Sequence, residues 1–292
     1  MHYRGRFAPS PSGALHFGSL VAAVGSFVRA RAEGGAWLVR MEDIDPPREI
    51  PGAASDILAT LGAFGMRADE PVVYQSLRDT AYDRAFARLR DADLVFPCWC
   101  SRVDLEASAG IHRGACRAAP DTTRGPAWRL RAPDVDVSFI DLLQGTQAQN
   151  LRRDVGDFVI RRVEGWFAYQ LAVVVDDADA AITEVVRGSD LLDSTPRQIH
   201  LQQLLGLQTP AYLHLPVVLD ADGRKLSKAD HARPVDRCEP LAALRMAIDF
   251  LGLEVGAGVT PAALLERAID SFSVARLRGA NGAHVGTAEC ET

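Results

Sequence analysis

Lysine is nearly absent from this chain. Of its 32 basic residues, 30 are arginine, and the two lysines, Lys225 and Lys228, both stand in Gly223-Arg-Lys-Leu-Ser-Lys228. Net positive charge is also missing: the formal charge is −6, which excludes broad, non-specific attraction to nucleic acid. A local basic face is still open to it, with Arg113, Arg117, Arg124, Arg129, Arg131, Arg152, Arg153, Arg161 and Arg162 as candidates, although each taken singly also reads as a solvated surface residue. No apolar run reaches the length of a membrane span, and residues 1–30 lack the basic, apolar and small-residue zones of a secretory leader. The expectation is a cytoplasmic protein with no membrane partner. There is no internal repeat and no low-complexity block. Cysteine is sparse, five in 292 residues, so a disulfide framework is not expected.

What is present begins at the N-terminus. A short Tyr3–Phe7 run reads as a strand, and Leu20, Val21, Val24, Phe27 and Val28 recur at helical spacing until Gly34-Gly35. Between them lies Ala8-Pro-Ser-Pro-Ser-Gly-Ala-Leu-His16-Phe-Gly18, a loop delivering the chain to a helix N-terminus. Unpaired backbone N–H groups there stabilise an anionic phosphate. His16 and Gly18 stand at its mouth: an imidazole can donate to a phosphoryl oxygen, and glycine lets a flat ring approach the backbone. The same loop also reads as ordinary punctuation. The lysine pair shifts the balance, because a compact ammonium on a flexible stem follows a moving phosphate better than the rigid arginine fork.

Further along, Trp37–Met41 reads as a buried strand ending in Glu42-Asp-Ile-Asp45, where acidic side chains enter the crevice of an open α/β sheet. A helix over Ala53–Phe64, a strand over Pro71–Gln75 and a helix over Leu77–Asp91 continue the alternation, which predicts a doubly wound parallel, Rossmann-like sheet. At Phe96 the pattern breaks. Cys98, Cys100, His112 and Cys116 form a Cys₃His set spaced Cys-x-Cys, eleven residues, His-x₃-Cys. It suits tetrahedral Zn²⁺ in a closed, structural site, and it departs from the common Cys-x₂-Cys form. Strand-like runs follow at Trp128–Arg131, Val135–Asp141 and Asp157–Arg162. Phe167–Val175 reads as a core strand headed by Tyr169. Thr195–Leu205 reads as a helix capped by Thr195, with His200 a core or surface histidine. Leu213–Leu219 is a strand delivering the lysine loop, and Pro240–Leu251 and Pro261–Ile269 are two helices before a Gly/Ala-rich tail. The organisation predicted is a catalytic domain in two halves, 1–95 and 164–232, an insertion over 96–163 and a short helical segment over 233–292.

Together, His16-Phe-Gly-Ser19 and Lys225-Leu-Ser-Lys-Ala229 resemble the paired signatures of class I aminoacyl-tRNA synthetases. Arg6-Phe-Ala-Pro-Ser-Pro-Ser-Gly13 and Arg40-Met-Glu-Asp-Ile-Asp45 resemble the glutamyl/glutaminyl branch. The likeness runs from about Arg6 to Lys228, with Ser19 and Ala229 departing from the usual final residues of the two signatures. It implies a ligase in which His16 and Lys228 are catalytic and His16, Gly18, Lys225, Ser227 and Lys228 bind ATP with Mg²⁺. It assigns Arg6, Ala8, Ser10, Glu42, Tyr169 and Arg187 to L-glutamate, with Glu42 on the ammonium, and the insertion to the acceptor end of a tRNA. From the residues alone Tyr169 reads equally as a half-buried strand residue, and Arg187 as a surface partner of Asp190. The third zinc ligand in this family is often tyrosine, and His112 is a stronger one. Residues 229–292 are too few for the helical anticodon-binding region of a full glutamyl enzyme. The shortened form resembles the branch that forms glutamyl-adenylate and attaches glutamate to the queuosine at the wobble position of tRNA(Asp), as an expected monomer. Ordinary 3′-end aminoacylation and a catalytically silent tRNA-binding paralogue remain as alternatives.

Overall fold

The computed structural model describes residues 2–121, 123–219, 234–256 and 260–279. Strand β1 (Arg4–Phe7) pairs in parallel with β2 (Ala36–Met41), and β2 with β3 (Val73–Tyr74). β9 (Glu184–Gly188) pairs in parallel with β10 (Ala211–Leu215), β10 with β6 (Asp136–Asp141), and β6 runs antiparallel to β7 (Gly145–Asn150). β1 and β9 lie side by side but share no ladder. They are tied where they begin, Thr183 N donating to Arg4 O (3.0 Å) and Arg4 N to Thr183 Oγ1 (2.9 Å). The chain winds outward from β1 to β3, then returns to β9 and winds the other way. Such a reversal is where open α/β sheets bind ligands, beyond the carboxyl ends of the strands.

Alternation within the strands assigns the two faces. Trp37 and Val39 of β2, Val186 of β9 and Leu213 and Leu215 of β10 join one apolar cluster, with α1 (Phe17–Ala32), α2 (Ala53–Ala63), α6 (Pro240–Phe250) and α7 (Pro261–Ser271). Leu38, Val185 and Tyr212 point the other way and meet Ile199 of α5 (Thr195–Leu204). Both faces are covered, which is why these strands read as unbroken apolar runs. Leu20, Val24 and Val28 of α1 have no exposure at all, each contributing ~1.5–3 kcal/mol by burial. Trp37 is equally enclosed, edge-on to Phe27, with its indole N–H donated to Ser26 Oγ at 3.0 Å.

A second, antiparallel sheet joins β4 (Val95–Cys98), β5 (Ala127–Leu130) and β8 (Phe158–Arg161). It packs on α3 (Asp79–Asp91) and α4 (Tyr169–Asp179) through Phe86, Leu130, Ile160 and Leu171. The intervening β6 and β7, which fall inside 96–163, belong to the main sheet instead, through β10. A short helix, α8 (Val274–Gly279), follows α7 without having been foreseen.

One element differs in kind from its sequence reading. The run Phe167–Val175, expected as a strand, is helical from Tyr169 to Asp179. Leu171, Ala172, Val173, Val174 and Val175 are all buried, so no polar stripe interrupts the run and no 3.6-residue period shows. A short apolar run of that kind does not separate helix from strand. The helical cost of three successive valines is a few tenths of a kcal/mol each, small against their burial. The cap of α5 also differs: Ser194 precedes the helix, and the Thr195 hydroxyl is turned inward, fully buried.

Candidate active site and metal centre

A cleft of about 590 Å³ opens at the β1–β9 reversal, a volume ordinary for a small-molecule site. Its lining brings together Arg6, Ala8, Ser10, His16, Gly18, Glu42, Tyr169 and Arg187, residues from opposite ends of the stretch between Arg6 and Arg187. Each element contributes its carboxyl or amino end, as the fold rule requires. Ala8 and Ser10 follow β1, Glu42 follows β2, Gly18 opens α1, Tyr169 opens α4 and Arg187 closes β9.

His16 caps α1. Its Nδ1 accepts from Ser19 N at 3.3 Å, and its Nε2 lies 2.9 Å from Ser19 Oγ. An imidazole accepting at Nδ1 carries its proton at Nε2, so Nε2 donates to the serine hydroxyl. Ser19, a departure from the usual signature, therefore orients the histidine. No acidic side chain occupies the first turn of α1, so its positive end is left uncancelled for an anion. Lys225, Ser227 and Lys228 lie outside the described residues. Both described flanks of their loop reach this cleft, however. Leu215–Val218 line it on the way out, and on the return Pro234 bridges His16 while Val235 N donates to Leu15 O (2.9 Å).

Beneath the cleft floor, Asp177 of α4 receives two guanidinium groups. Arg6 Nε and Nη2 reach its carboxylate at 3.1 and 3.3 Å, and Arg40 Nη1 at 2.6 Å. All three residues are buried. Burial alone raises a carboxyl pKa, but here the two arginines win and the Asp177 pKa is lowered. Arg40 also reaches Glu42 Oε1 at 3.4 Å. Glu42 stays above its ordinary value because burial outweighs the pull of Arg40 and Arg6. Next to Asp177, Asp176 accepts from Gln75 Nε2 (2.6 Å), Arg78 Nε (2.5 Å) and the Tyr82 hydroxyl (2.9 Å). None of Arg40, Gln75, Tyr82, Asp176 or Asp177 was given a role in the site from sequence. The signal was Asp176-Asp177 itself, two acids on an apolar run, which a strand reading turns into a closing turn. Asp43 accepts from Ser76 N and Oγ, a tie from the end of β2 to the segment after β3, and Asp45 pairs locally with Arg48.

Arg187 is buried and does not pair with Asp190. Its guanidinium donates to His214 Nε2 (3.0 Å), the Tyr169 hydroxyl (3.1 Å), Gln198 Oε1 (2.9 Å), Leu191 O (3.3 Å) and Thr195 Oγ1 (2.9 Å). Because Tyr169 accepts from Arg187, its own O–H is left to donate elsewhere, and both residues line the cleft. Burial raises the Tyr169 pKa against the opposing charge of Arg187, so the phenol is protonated at neutral pH. His200 is buried, with burial lowering its pKa, and it does not line the cleft.

Cys98 ends β4, and Cys98, Cys100 and His112 bring their ligand atoms within 4.8 Å of one another. Cys116 joins them, its Sγ 3.5 Å from Cys100 Sγ. His112 is 2 % exposed, its Nδ1 lies 2.9 Å from Asp157 Oδ2, and its buried Nε2 has no hydrogen-bond partner. A carboxylate on one ring nitrogen and an unpartnered second nitrogen beside thiols is the donor arrangement of a metal-ligating histidine. Asp157 is itself fixed by the N–H groups of Gly114 (3.0 Å) and Ala132 (2.8 Å). Arg129 Nε reaches Cys98 Sγ at 3.3 Å, a cation placed where three thiolates on one divalent ion leave excess negative charge. Burial raises the Cys98 thiol to about 11, whereas at Cys116 the burial effect is outweighed by donors including Trp99 N–H and the net shift is downward. The residues fit a metal of the zinc class. Other arginines of the expected basic face are structural: Arg131 covers Phe96, Arg161 covers Phe86 and Phe167, and Arg162 reaches Asp45.

Comparison with known proteins agrees with this geometry. Residues 2–254 match the family model for tRNA synthetases class I (E and Q), catalytic domain. A glutamyl-Q tRNA(Asp) synthetase of Burkholderia cenocepacia is 58% identical over 263 residues, covering 86% of this chain and 88% of the relative. One from Xanthomonas campestris pv. campestris is 55% identical over 279 residues, 94% and 93% of the two chains. Among solved structures, a glutamate tRNA ligase from Elizabethkingia meningosepticum, in complex with its amino acid, superposes with a TM-score of 0.78 at 25% identity. That match covers 94% of this chain and 66% of the ligase, so the chain spans just under two thirds of the solved enzyme. On a family match covering most of its length, the chain belongs to the class I tRNA synthetases (E and Q), through their catalytic domain.

Proposed function

We propose that this chain activates L-glutamate with ATP as glutamyl-adenylate and transfers the glutamyl group to the queuosine at the wobble position of tRNA(Asp). The observation that carries the activation step is the single cleft. One end is the N-terminus of α1 with His16 and Gly18, suited to phosphate, and the other is the Glu42, Tyr169 and Arg187 end, suited to an amino acid. The acceptor is supported by the names of relatives at 55–59% identity.

In the first step an oxygen of the glutamate α-carboxylate attacks the α-phosphorus of ATP, the bond to the β-phosphate breaks and pyrophosphate leaves. In the second, a hydroxyl of the nucleoside attacks the carbonyl carbon of the adenylate and AMP leaves. Both steps depend mainly on positioning and on neutralising developing charge. Arg6, Ala8 and Ser10 border the amino acid, Glu42 takes its ammonium, and Arg187 with the Tyr169 O–H takes its side-chain carboxylate. His16, Gly18, Lys225 and Ser227 hold the triphosphate, and Lys228 offsets charge that moves onto pyrophosphate. Mg²⁺ bound with ATP would supply screening of the phosphate charge. Cys98, Cys100, His112 and Cys116 would hold Zn²⁺ with no open position, a structural ion fixing the end of β4. The stretch 96–163 carries this centre and also lends β6 and β7 to the main sheet formed by the catalytic halves 1–95 and 164–232, and α6, α7 and α8 follow. The proposed working state is a cytoplasmic monomer.

Lys228→Ala is expected to abolish glutamate-dependent ATP–pyrophosphate exchange while the melting curve stays in place, and normal exchange refutes its role. Radiolabelled glutamate offered to tRNA with and without queuosine, followed by ribonuclease cleavage, locates the product. Label on the anticodon fragment of queuosine-containing tRNA supports the transfer proposed. Label on the acceptor fragment makes the chain a 3′-end charging enzyme, and no exchange at all makes it a silent tRNA-binding paralogue.

A further inference from the structure

The side chains behind Arg187 form a line that the adenylation chemistry itself does not require. Arg187 Nε donates to His214 Nε2 (3.0 Å), and His214 Nδ1 lies 2.6 Å from Asp141 Oδ2. His214 and Asp141 are 0% and 1% exposed, and neither lines the cleft. They come from adjacent parallel strands of the main sheet, β10 and β6. Asp141 also closes the turn that follows it, Oδ1 accepting from Leu143 N (3.0 Å) and Gln144 N (2.8 Å), so its position is set by backbone.

Proton placement gives this line its meaning. An arginine has only donors. Nε2 of His214 must therefore be an acceptor, and the imidazole proton must be at Nδ1. A carboxylate at Nδ1 selects that tautomer, and a donor there would select the opposite one. The groups facing His214 are Asp141 from β6, Arg187 from β9, the Thr195 hydroxyl (3.3 Å) from α5 and the Tyr212 ring (6.1 Å between centroids) from its own strand, with Arg6 of β1 adding positive field.

We infer that Asp141 and His214 are positioning residues for the amino-acid end of the cleft: Asp141 fixes the His214 tautomer, and the acceptor so created locks the Arg187 fork against Tyr169. This rests on the glutamate reading above. Arg187 has four other partners, all hydroxyl or carbonyl oxygens. Only the histidine holds Nε, the nitrogen that sets the plane of the guanidinium. With its proton moved to Nε2, His214 would face Arg187 donor to donor, and the fork would turn away from Tyr169.

The test is ATP–pyrophosphate exchange with glutamate and ATP varied separately, on the full chain. Asp141→Asn keeps the size of the side chain and the Oδ1 that serves the turn and accepts from His214 N (3.3 Å), but presents an N–H₂ to the imidazole. The expected result is a rise in the KM for glutamate of about tenfold or more, the scale of one misaligned charge-assisted hydrogen bond, with the KM for ATP and the melting temperature little changed. In a His214→Gln background, where an amide oxygen offers Arg187 an acceptor that has no tautomer, Asp141→Asn is expected to add nothing further. Equal glutamate KM in wild type and Asp141→Asn, or a full additional loss in the His214→Gln background, overturns the inference. Should Asp141→Asn not fold, His214→Leu against His214→Gln decides: Leu raises the glutamate KM and Gln largely restores it, and equal values again overturn the inference. If the wild-type chain gives no glutamate-dependent exchange, it is the functional reading that fails, and the inference falls with it.

Discussion

Arg40 Nη1 lies 2.6 Å from Asp177 Oδ1, with both side chains almost wholly buried. This contact joins the end of β2 to α4 and so holds together the two halves of the cleft wall. Arg6 shares the same carboxylate. One acid therefore serves two buried cations, and the pairing is not interchangeable with a surface ion pair. Removing the acid leaves the Arg6 guanidinium without a carboxylate and Arg40 with only the longer contacts to Glu42 and Asp176, a loss of ~3–5 kcal/mol in a low-dielectric site. Asp177→Ala is expected to lower the unfolding free energy measured by urea titration by that amount, while Glu70→Ala, whose partner Arg4 is partly exposed, changes it by less than about 1 kcal/mol. Equal effects would show that the buried triad has no special weight.

The same carboxylate sets a pH dependence. The Asp177 and Asp141 pKa values are lowered in the folded chain, in each case against burial: the arginines do it at Asp177, and His214 with backbone N–H groups at Asp141. A depressed folded pKa means the unfolded chain binds the proton first. Their contribution is therefore complete above the ordinary carboxylate range and is lost as pH falls through it, below about pH 4. Glu42 has the opposite sign, since its raised pKa favours the protonated form when folded, so acid relieves rather than harms it. Urea midpoints measured between neutrality and about pH 3 are expected to fall with acid, and the slope is expected to be shallower in Asp177→Asn. An unchanged slope in the variant assigns the acid sensitivity elsewhere.

The outline of the site was legible in the sequence because its parts are local. A small-residue loop before a helix, an acid after a buried strand and four metal-type ligands within nineteen residues each carry meaning at short range. Position in the fold was not legible where meaning depends on a distant partner. His214 in Tyr212-Leu-His-Leu215 looks like any strand residue, and only the pairing of β10 with β6 and β9 brings Asp141 and Arg187 to it. Asp176 and Asp177, which end the run read as a strand, carried no legible site role for a related reason. Their run is buried on every side, so the helical period that would have put them on the face of Arg40 and Tyr82 left no polar trace.

The proposed metal centre carries a prediction that does not depend on catalysis. His112 is held by Asp157, and Asp157 by its own backbone neighbours, so the histidine is oriented before any ion arrives. Asp157→Ala is expected to weaken Zn²⁺ affinity by about 10–100-fold, as carboxylates behind ligating histidines do. Gly156 stands next to it at a φ of +72°, and a Cβ there would come within 2.3 Å of His112 O. Gly156→Ala is therefore expected to disturb the site at least as severely. Zinc content after dialysis against a chelator of graded strength ranks the variants. Retention of one zinc per chain in both, equal to the wild type, would remove Asp157 and Gly156 from the design of the site. Cys98→Ser should lose the metal outright.

At the other end of the cleft, Glu42 is the residue proposed to supply the negative charge for an ammonium group. It sits 3.4 Å from Arg40, yet its carboxyl is held above the ordinary range because burial costs it more than the arginines return. An arriving ammonium adds a hydrogen-bonded cation on the open side, so binding and ionisation are linked: the ligand lowers the pKa, and the ionised form binds the ligand. Glu42→Gln keeps the shape but cancels the charge. A charge-assisted hydrogen bond is worth ~1.5–3 kcal/mol, so the KM for glutamate is expected to rise by about 10–100-fold, with the KM for ATP unchanged. In the wild type the glutamate KM is expected to rise as pH falls through the raised Glu42 pKa, and this limb is expected to vanish in Glu42→Gln. A variant that keeps the limb, or one whose ATP affinity falls in step with that for glutamate, would move the ammonium away from Glu42.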